Sequence, residues 1–289
     1  MINEVATTPQ RTLLLNDLLR TASSCGRGEW ATPDDKTRMA EIIADLEELN
    51  PTDQPTLSAS SSGSKNIEGT WELLYSDTQL FRSSPFFMAG RAVCSTPEEA
   101  ERYDWFCDMH RAALAISNIG KVRQIISADR LVSEFEVKVG SIPFLNDFTP
   151  FSYSGGLPVT IEGAIVSSAD INPTDDGKAW EIFMDTVEIR GSNVPLLRQM
   201  LDGGIKLGSR DLGSFLEDNL DGYTNPRPVF ETTYLDDSVR ISRDQDGKVF
   251  VYGKVDDGTE PTDYKGVDAD LGVAKLLEGL NDSIFKFYI

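Results

Sequence analysis

The sequence predicts a mainly β protein in which about eight antiparallel strands close into a β-barrel. Three observations lead to this prediction. The hydrophobic period changes from 3.6 to 2 residues after residue 66, strand-like alternation recurs as far as residue 254, and a tight-turn sequence joins the last two strands. A closed barrel suits such a set because closure removes exposed strand edges and can enclose a small ligand. A β-sandwich is the main alternative.

The composition narrows the classes of function. The 289 residues include 47 acidic and 27 basic side chains, which gives a net charge of −20. This balance argues against nucleic-acid binding and against docking on anionic lipid, but it leaves neutral lipid surfaces open. Three cysteines without a CxxC pair and a single histidine favour a reducing compartment, and we expect neither a metal nor another cofactor. No apolar run reaches 18 residues, so we expect no transmembrane helix.

Residues 1–56 are predicted to form a helical extension. One apolar stripe runs along residues 13–22, and a second helix begins at Pro33 and ends before Pro51. We expect these helices to form a hairpin that packs outside the barrel. Residues 57–66 are small and polar, and they predict a flexible linker.

The predicted barrel domain covers residues 67–254. Its strand-like runs are 67–77, 113–126, 131–140, 159–170, 179–190, 229–235, 238–243 and 248–254. The Asp-Gly step within 244–247 favours a tight hairpin between the last two. Residues 194–204 and 210–223 are candidates for short peripheral helices over one barrel mouth. Residues 255–289 predict an acidic C-terminal extension with a further helix candidate at 269–280.

The most informative local motif is the Gly-Thr-Trp triplet at residues 69–71. In lipocalin-like barrels such a triplet lets the chain turn sharply, the indole fills the barrel floor, and an arginine from a late strand stacks on it. Arg240 and Arg243 are the two candidates for that arginine. Because side chains alternate along a strand, only one can face inward. We expect this to be Arg243, since Val239 and Ile241 would then line the interior, and Arg240 would lie outside near the preceding aspartates.

Two strands supply the predicted lining of a pocket. Trp71, Leu73 and Tyr75 share one face of the first strand, and Phe135 and Val137 share a face of another. A solid core is the alternative to a ligand pocket. The aromatic segment 141–158 predicts either a portal that touches a membrane or a buried loop.

Three segments, GTWELLYSD, SEFEVKV and FETTYLDDSVRISRDQDGKVFVYGK, resemble the plastid lipid-associated proteins, also called plastid fibrillins. The last segment, residues 230–254, is the strongest match and contains Tyr234 and both candidate arginines. The helix that ends before Pro51 is similar to the lead-in of that family. Residues 97–111 and the tail after Lys254 lie outside the pattern of the family.

The resemblance implies a lipocalin-like fold and non-enzymatic binding, transport or organisation of quinones, carotenoids or related plastid lipids. It also implies peripheral contact with lipid droplets or thylakoids in the plastid, although no targeting peptide is visible. The candidate ligand-binding residues are Trp71, Leu73, Tyr75, Phe135, Val137, Tyr234, Arg240 and Arg243.

Two other classes of function compete with a lipid carrier. An acidic scaffold would use the short helices to dock on protein partners. An enzyme could use Glu162, Asp185, Glu188 and His110, but the sequence holds no nucleophile elbow, phosphate loop or dinucleotide motif. We therefore expect no catalytic residues.

Overall fold

The computed structural model describes residues 2–57, 67–113, 117–140, 160–193, 198, 206–208 and 226–266. The helices in this part are α1 (Ile2–Ser24), α2 (Pro33–Glu48), α3 (Pro85–Ala92) and α4 (Pro97–Ala113). The strands are β1 (Gly69–Ser76), β2 (Ser117–Ile126), β3 (Arg130–Gly140), β4 (Thr160–Pro173), β5 (Ala179–Arg190), β6 (Lys206–Gly208), β7 (Val229–Leu235), β8 (Val239–Arg243) and β9 (Val249–Asp256).

Several predicted features lie outside the described residues. These are the linker from residue 58 onward, the aromatic segment at 141–158, and the helix candidates at 194–204 (Arg198 apart), 210–223 and 269–280.

Eight strands form one antiparallel sheet that closes in a ring. The order around the ring is β1, β2, β3, β4, β5, β7, β8 and β9, and β9 pairs with β1 again. The short strand β6 pairs with β5 at the side of this ring. The prediction of about eight antiparallel strands is therefore confirmed, and they form one continuous sheet rather than two separate ones. A lipocalin-like barrel stays a prediction.

The turn between β8 and β9 forms as the sequence predicts. The Asp244 carboxylate accepts hydrogen bonds from the backbone N–H groups of Asp246 and Lys248, both at 2.9 Å. Gly247 has a φ of +72°, a conformation that glycine adopts without steric cost. The predicted tight hairpin is therefore confirmed.

Two bulges change which side chains face the interior of the ring. In β1 one extra residue stands between Leu73 and Tyr75 relative to β9, and in β7 one extra residue stands between Thr232 and Tyr234 relative to β8. Because side chains alternate along a strand, an extra residue sends those that follow to the opposite face. Tyr75 therefore does not share the face of Trp71 and Leu73, and that prediction is wrong.

The helices α1 and α2 pack together on the outer face of the ring. Their apolar side chains join those of β1, β7, β8 and β9 in one buried cluster. Its members are Leu18, Ala22, Cys25, Met39, Ile42, Ile43, Leu46, Tyr75, Tyr234, Val239, Ile241, Val249 and Val251. The predicted helical hairpin outside the sheet is thus confirmed.

The ends of α2 follow the signals in the sequence. The Thr32 hydroxyl accepts a hydrogen bond from the Asp35 backbone, and the Asp35 carboxylate accepts one from the Thr32 backbone, which makes a capping box before Pro33. After the helix, the Asn50 side-chain oxygen accepts from the backbone of Leu235 at 3.1 Å. The bond from Leu235 to Asn50 fixes the end of α2 against the end of β7.

We expect Leu46→Ala to lower the free energy of unfolding by about 2–5 kcal/mol, because Leu46 is fully buried between the helices and the sheet. Urea denaturation followed by circular dichroism measures this loss. Leu13→Ala on α1 is the control, since Leu13 is 68% exposed and its truncation should cost less than about 1 kcal/mol. Equal losses would contradict the packing of α2 on the ring.

Candidate functional site in the interior of the ring

The ring encloses a second buried cluster, in or beside which five of the eight predicted ligand-binding residues lie. Trp71, Leu73 and Phe135 belong to this inner cluster, and Val137 packs against it. Arg240 is also buried there, against the Trp71 ring. Tyr75, Tyr234 and Arg243 lie on the outer face instead. The structure therefore brings five of the eight residues together and separates the other three.

The indole of Trp71 lies at the end of the ring where β1 begins, which we call the floor. Its Nε1 donates a hydrogen bond to the carbonyl of Ile67 at 2.8 Å, and the side chain is fully buried. Gly69 has a φ of +123°, and a Cβ atom there would lie 2.6 Å from the carbonyl oxygen of Asp256. Only glycine fits this approach, which explains the Gly-x-Trp motif.

The arginine that stacks on the floor is Arg240. Its guanidinium carbon lies 4.2 Å from the ring centroid of Tyr252 and 5.4 Å from that of Trp71, and Nη2 donates to the Oε1 atom of Gln124. Burial lowers the pKa of Arg240 to about 10, so the group stays cationic at neutral pH. Within the described part of the chain, its Nε and Nη1 atoms have no hydrogen-bond partner. Aromatic faces and one amide thus accommodate this charge.

The prediction that Arg243 faces inward is wrong. Arg243 points outward and forms a bidentate pair with Glu47 of α2, with Nε–Oε1 at 2.8 Å and Nη2–Oε2 at 3.0 Å. Val239 and Ile241 share its face and are covered by the helices. The prediction assumed that apolar residues mark the interior, but β8 is buried on both faces.

A segment that precedes β2 fills part of the interior. We call residues 80–92 the plug; it consists of the 3-10 helix Leu80–Ser83 and α3. Phe81, Phe87 and Met88 of the plug join the inner cluster, and the Gln124 side-chain amide donates to the carbonyl of Ser83 at 2.8 Å. The 3-10 helix of the plug therefore reaches Gln124 inside the ring, whereas the last turn of α3 lies beside the β8–β9 turn.

The plug is not among the elements predicted from the sequence, although the sequence contains one signal for it. Ser84 stands directly before Pro85, and its hydroxyl accepts a hydrogen bond from the backbone of Phe87. Serine followed by proline is a typical start of a helix. The apolar residues that follow do not alternate as in a strand, so a short helix was predictable at this point of the sequence.

An ionic cluster around the buried Arg82 side chain ties the plug to the neighbouring elements. The Arg82 side chain is 3% exposed, and it contacts Asp104 of α4 at 2.7 Å and Asp246 of the β8–β9 turn at 3.2 Å. Arg91 contacts the same Asp246 at 2.8 Å. Burial raises the pKa of the nearby Asp244 above its ordinary value, although Arg82 and backbone hydrogen bonds oppose this shift. The plug is thus held at both ends by charge pairs.

The carboxylates considered for catalysis are each paired with a different cation. Glu162 contacts Lys138, Asp185 contacts Arg130, and Glu188 contacts Arg190. The side chain of His110 lies outside the described residues. The three cysteines are free thiols, and the described residues hold no group of His, Cys, Asp and Glu side chains that could bind a metal. No described helix is long and apolar enough to span a bilayer.

The fold and its interior define a mainly β protein in which one closed antiparallel sheet surrounds its own core. The model of the PAP_fibrillin family matches residues 12–149 and 220–253, which is more than half of the chain. The chain belongs to this family of plastid lipid-associated proteins, and the family indicates a plastid location and a lipid-associated role. Its members are in general structural rather than enzymatic. Comparisons with curated proteins and with solved structures find no match.

The extent of this match bears on two expectations from the sequence. The first matched segment spans residues 97–111, which were expected to lie outside the family pattern. The tail after Lys254 lies outside the matched residues, as predicted.

We expect Arg240→Ala to destabilise the fold by about 2–4 kcal/mol, because it leaves a cavity between Trp71 and Tyr252. Arg243→Ala should cost only about 0–1 kcal/mol, since its ion pair with Glu47 is partly exposed. Reversible denaturation of the two variants tests this order. Arg240→Met separates the effect of volume from that of charge, because it fills the space without the guanidinium. A larger loss for Arg243→Ala would contradict the assignment of strand faces.

We expect Arg82→Ala to destabilise the protein by about 3–5 kcal/mol, because it leaves the buried Asp244 without its cation. Amide hydrogen exchange in the plug should also become faster. Arg91→Ala is the matched control: Arg91 contacts Asp246 from the more exposed end of α3, so its loss should be smaller. Unchanged exchange in both variants would show that the ionic cluster does not hold the plug.

Proposed function

We propose that this protein binds and organises apolar plastid lipids, such as quinones or carotenoids, without catalysing a reaction on them. The observation that carries the proposal is membership of the PAP_fibrillin family. The closed ring supports it, because an eight-stranded ring that forms a lipocalin-like barrel is wide enough to hold one small ligand. The proposed location is the stroma, the thylakoid surface or a lipid droplet of the plastid.

The proposed ligand lies against the inner faces of β3 and β4. Phe135 and Val137 point into the ring there, and Ile165 stands directly opposite Phe135 on β4. Val137 and Ile165 are only partly buried, so their apolar surface is available to a ligand. By contrast, Trp71, Leu73 and Arg240 are fully enclosed by the protein, so in this proposal they support the closed end of the site and do not line it.

The three residues on the outer face do not belong to the proposed site. Tyr75 and Tyr234 lie beneath the N-terminal helices, and Arg243 is paired with Glu47. Their proposed role is to attach the helical extension of residues 1–56 to a lipid-binding domain of residues 67–254.

In the acidic extension that follows residue 254, Thr262 and Tyr264 donate hydrogen bonds to the buried carboxylate of Glu134 on β3. The first part of the extension therefore packs on the outer face of that domain.

We expect the purified full chain to retain plastid quinone or carotenoid, and Val137→Ser to lower the affinity for such a molecule about tenfold, since one buried apolar side chain contributes roughly that factor. Lys138→Ser is the matched control, because Lys138 is the next residue of β3 and faces outward. Extraction followed by mass spectrometry identifies the ligand, and titration with decylplastoquinone measures the affinity. A chain that retains no lipid, or that converts it, would contradict the proposal.

A further inference from the structure

Within the described residues, a group of exposed apolar side chains lies on and between α3 and α4. Five of the twelve large hydrophobic residues that are exposed in the described part of the chain lie between residues 86 and 109. They are Phe86, Val93, Trp105, Phe106 and Met109. On α4, three of them are spaced by one and three residues, which places them on one side of the helix. We call these five residues the aromatic face.

The opposite side of α4 packs into the ring. Cys107 is fully buried in the inner cluster, and Tyr103 donates a hydrogen bond from its hydroxyl to the carbonyl of Phe87 at 2.8 Å. The two helices connect the end of β1 with the start of β2, so they lie at the mouth of the ring, opposite the floor. The aromatic face is therefore the outer surface of the element that closes the mouth.

The charges beside the aromatic face determine which partner it suits. Between Pro97 and Ala113 the helix carries five acidic and two basic residues, and the whole chain is strongly acidic. Helices that bind anionic membranes carry lysine and arginine on their polar side, so this helix is unsuited to an anionic surface. Tryptophan and phenylalanine are suited to the boundary between lipid and water. Exposed aromatic residues that are flanked by acidic side chains thus suit an electrically neutral lipid surface.

We propose that the aromatic face inserts into an electrically neutral lipid surface and holds the mouth of the ring against it. This inference rests on the proposed function, since it supplies the surface from which an apolar ligand reaches the ring. Insertion of Trp105 and Phe106 would bury side chains that are now 65% and 49% exposed. Asp104 and Asp108 stay next to the protein, where they accept hydrogen bonds from Arg82 and Gln79.

The first test is flotation with triolein droplets coated with phosphatidylcholine. The full chain should float with these droplets, and Trp105→Ser/Phe106→Ser should lower its partition coefficient at least about tenfold, because each aromatic side chain contributes more than that factor when buried. Trp30→Ser/Leu13→Ser is the matched control, since it removes exposed apolar side chains elsewhere and should float like the unmodified chain. Replacing phosphatidylcholine by phosphatidylglycerol should weaken flotation at low salt.

The second test does not depend on removing the aromatic face. The chain has four tryptophans; Trp71 and Trp180 are buried, so Trp30→Phe leaves Trp105 as the exposed one. Iodide should quench the fluorescence of this variant in solution, and neutral droplets should abolish most of that quenching. Quenching that is unchanged by bound droplets would overturn the proposal.

The remaining outcomes separate this inference from the proposed function. If the chain retains quinone but does not float, the aromatic face is not a lipid surface and the carrier function stands. If the chain floats through Trp105 but retains no lipid, the docking surface stands and the carrier function fails. Equal flotation of the two double variants would overturn the inference, and so would stronger binding to phosphatidylglycerol than to phosphatidylcholine. It would also be overturned if Trp105→Ser/Phe106→Ser still floated with droplets but lost a protein that co-purifies with the unmodified chain. Thermal melting of each variant verifies that it is folded.

Discussion

The interior of this protein depends on one side chain, the guanidinium of Arg240. It extends from β8 across the ring to Gln124 on β2, and Gln124 in turn donates to the carbonyl of Ser83 in the plug. Two walls of the ring and the segment inside it are therefore joined through a single amide. A cation buried without a carboxylate is tolerated only where aromatic faces and hydrogen-bond acceptors surround it. Trp71 and Tyr252 supply those faces, so the floor residue and the arginine require each other.

The strand content of the fold could be predicted from the sequence, but the facing of several side chains could not. Alternation in β3 correctly placed Phe135 and Val137 inward, because the opposite face of that strand carries charged residues. In β8 the same rule gave the wrong face, since the helices bury Val239 and Ile241 as completely as the ring buries Arg240. A pattern of apolar residues identifies a buried face, and it does not identify which of two buried faces lies inside.

The candidate site was only partly predictable for a related reason. A single extra residue in β1 and another in β7 turned Tyr75 and Tyr234 toward the helices, and the sequence carries no mark of either bulge. The plug had a readable helix start at Ser84 and Pro85, but no local signal indicates that the segment enters the ring. That information lies in Arg82 and its partners Asp104 and Asp246, which are far apart in the chain.

The ion pairs of the plug also join parts of the chain that are far apart in the sequence. Arg82 and Arg91 belong to the first third of the sequence, yet the turn that holds them lies near residue 246. Strand β1 likewise finds one of its neighbours only in β9. Contacts of such large sequence separation form slowly, because a long loop must close before they contribute. During folding, β1 and the plug therefore lack these partners until the β8–β9 hairpin is in place. Until then the apolar residues of the plug lack their final cover, and transiently exposed surface of this kind favours aggregation.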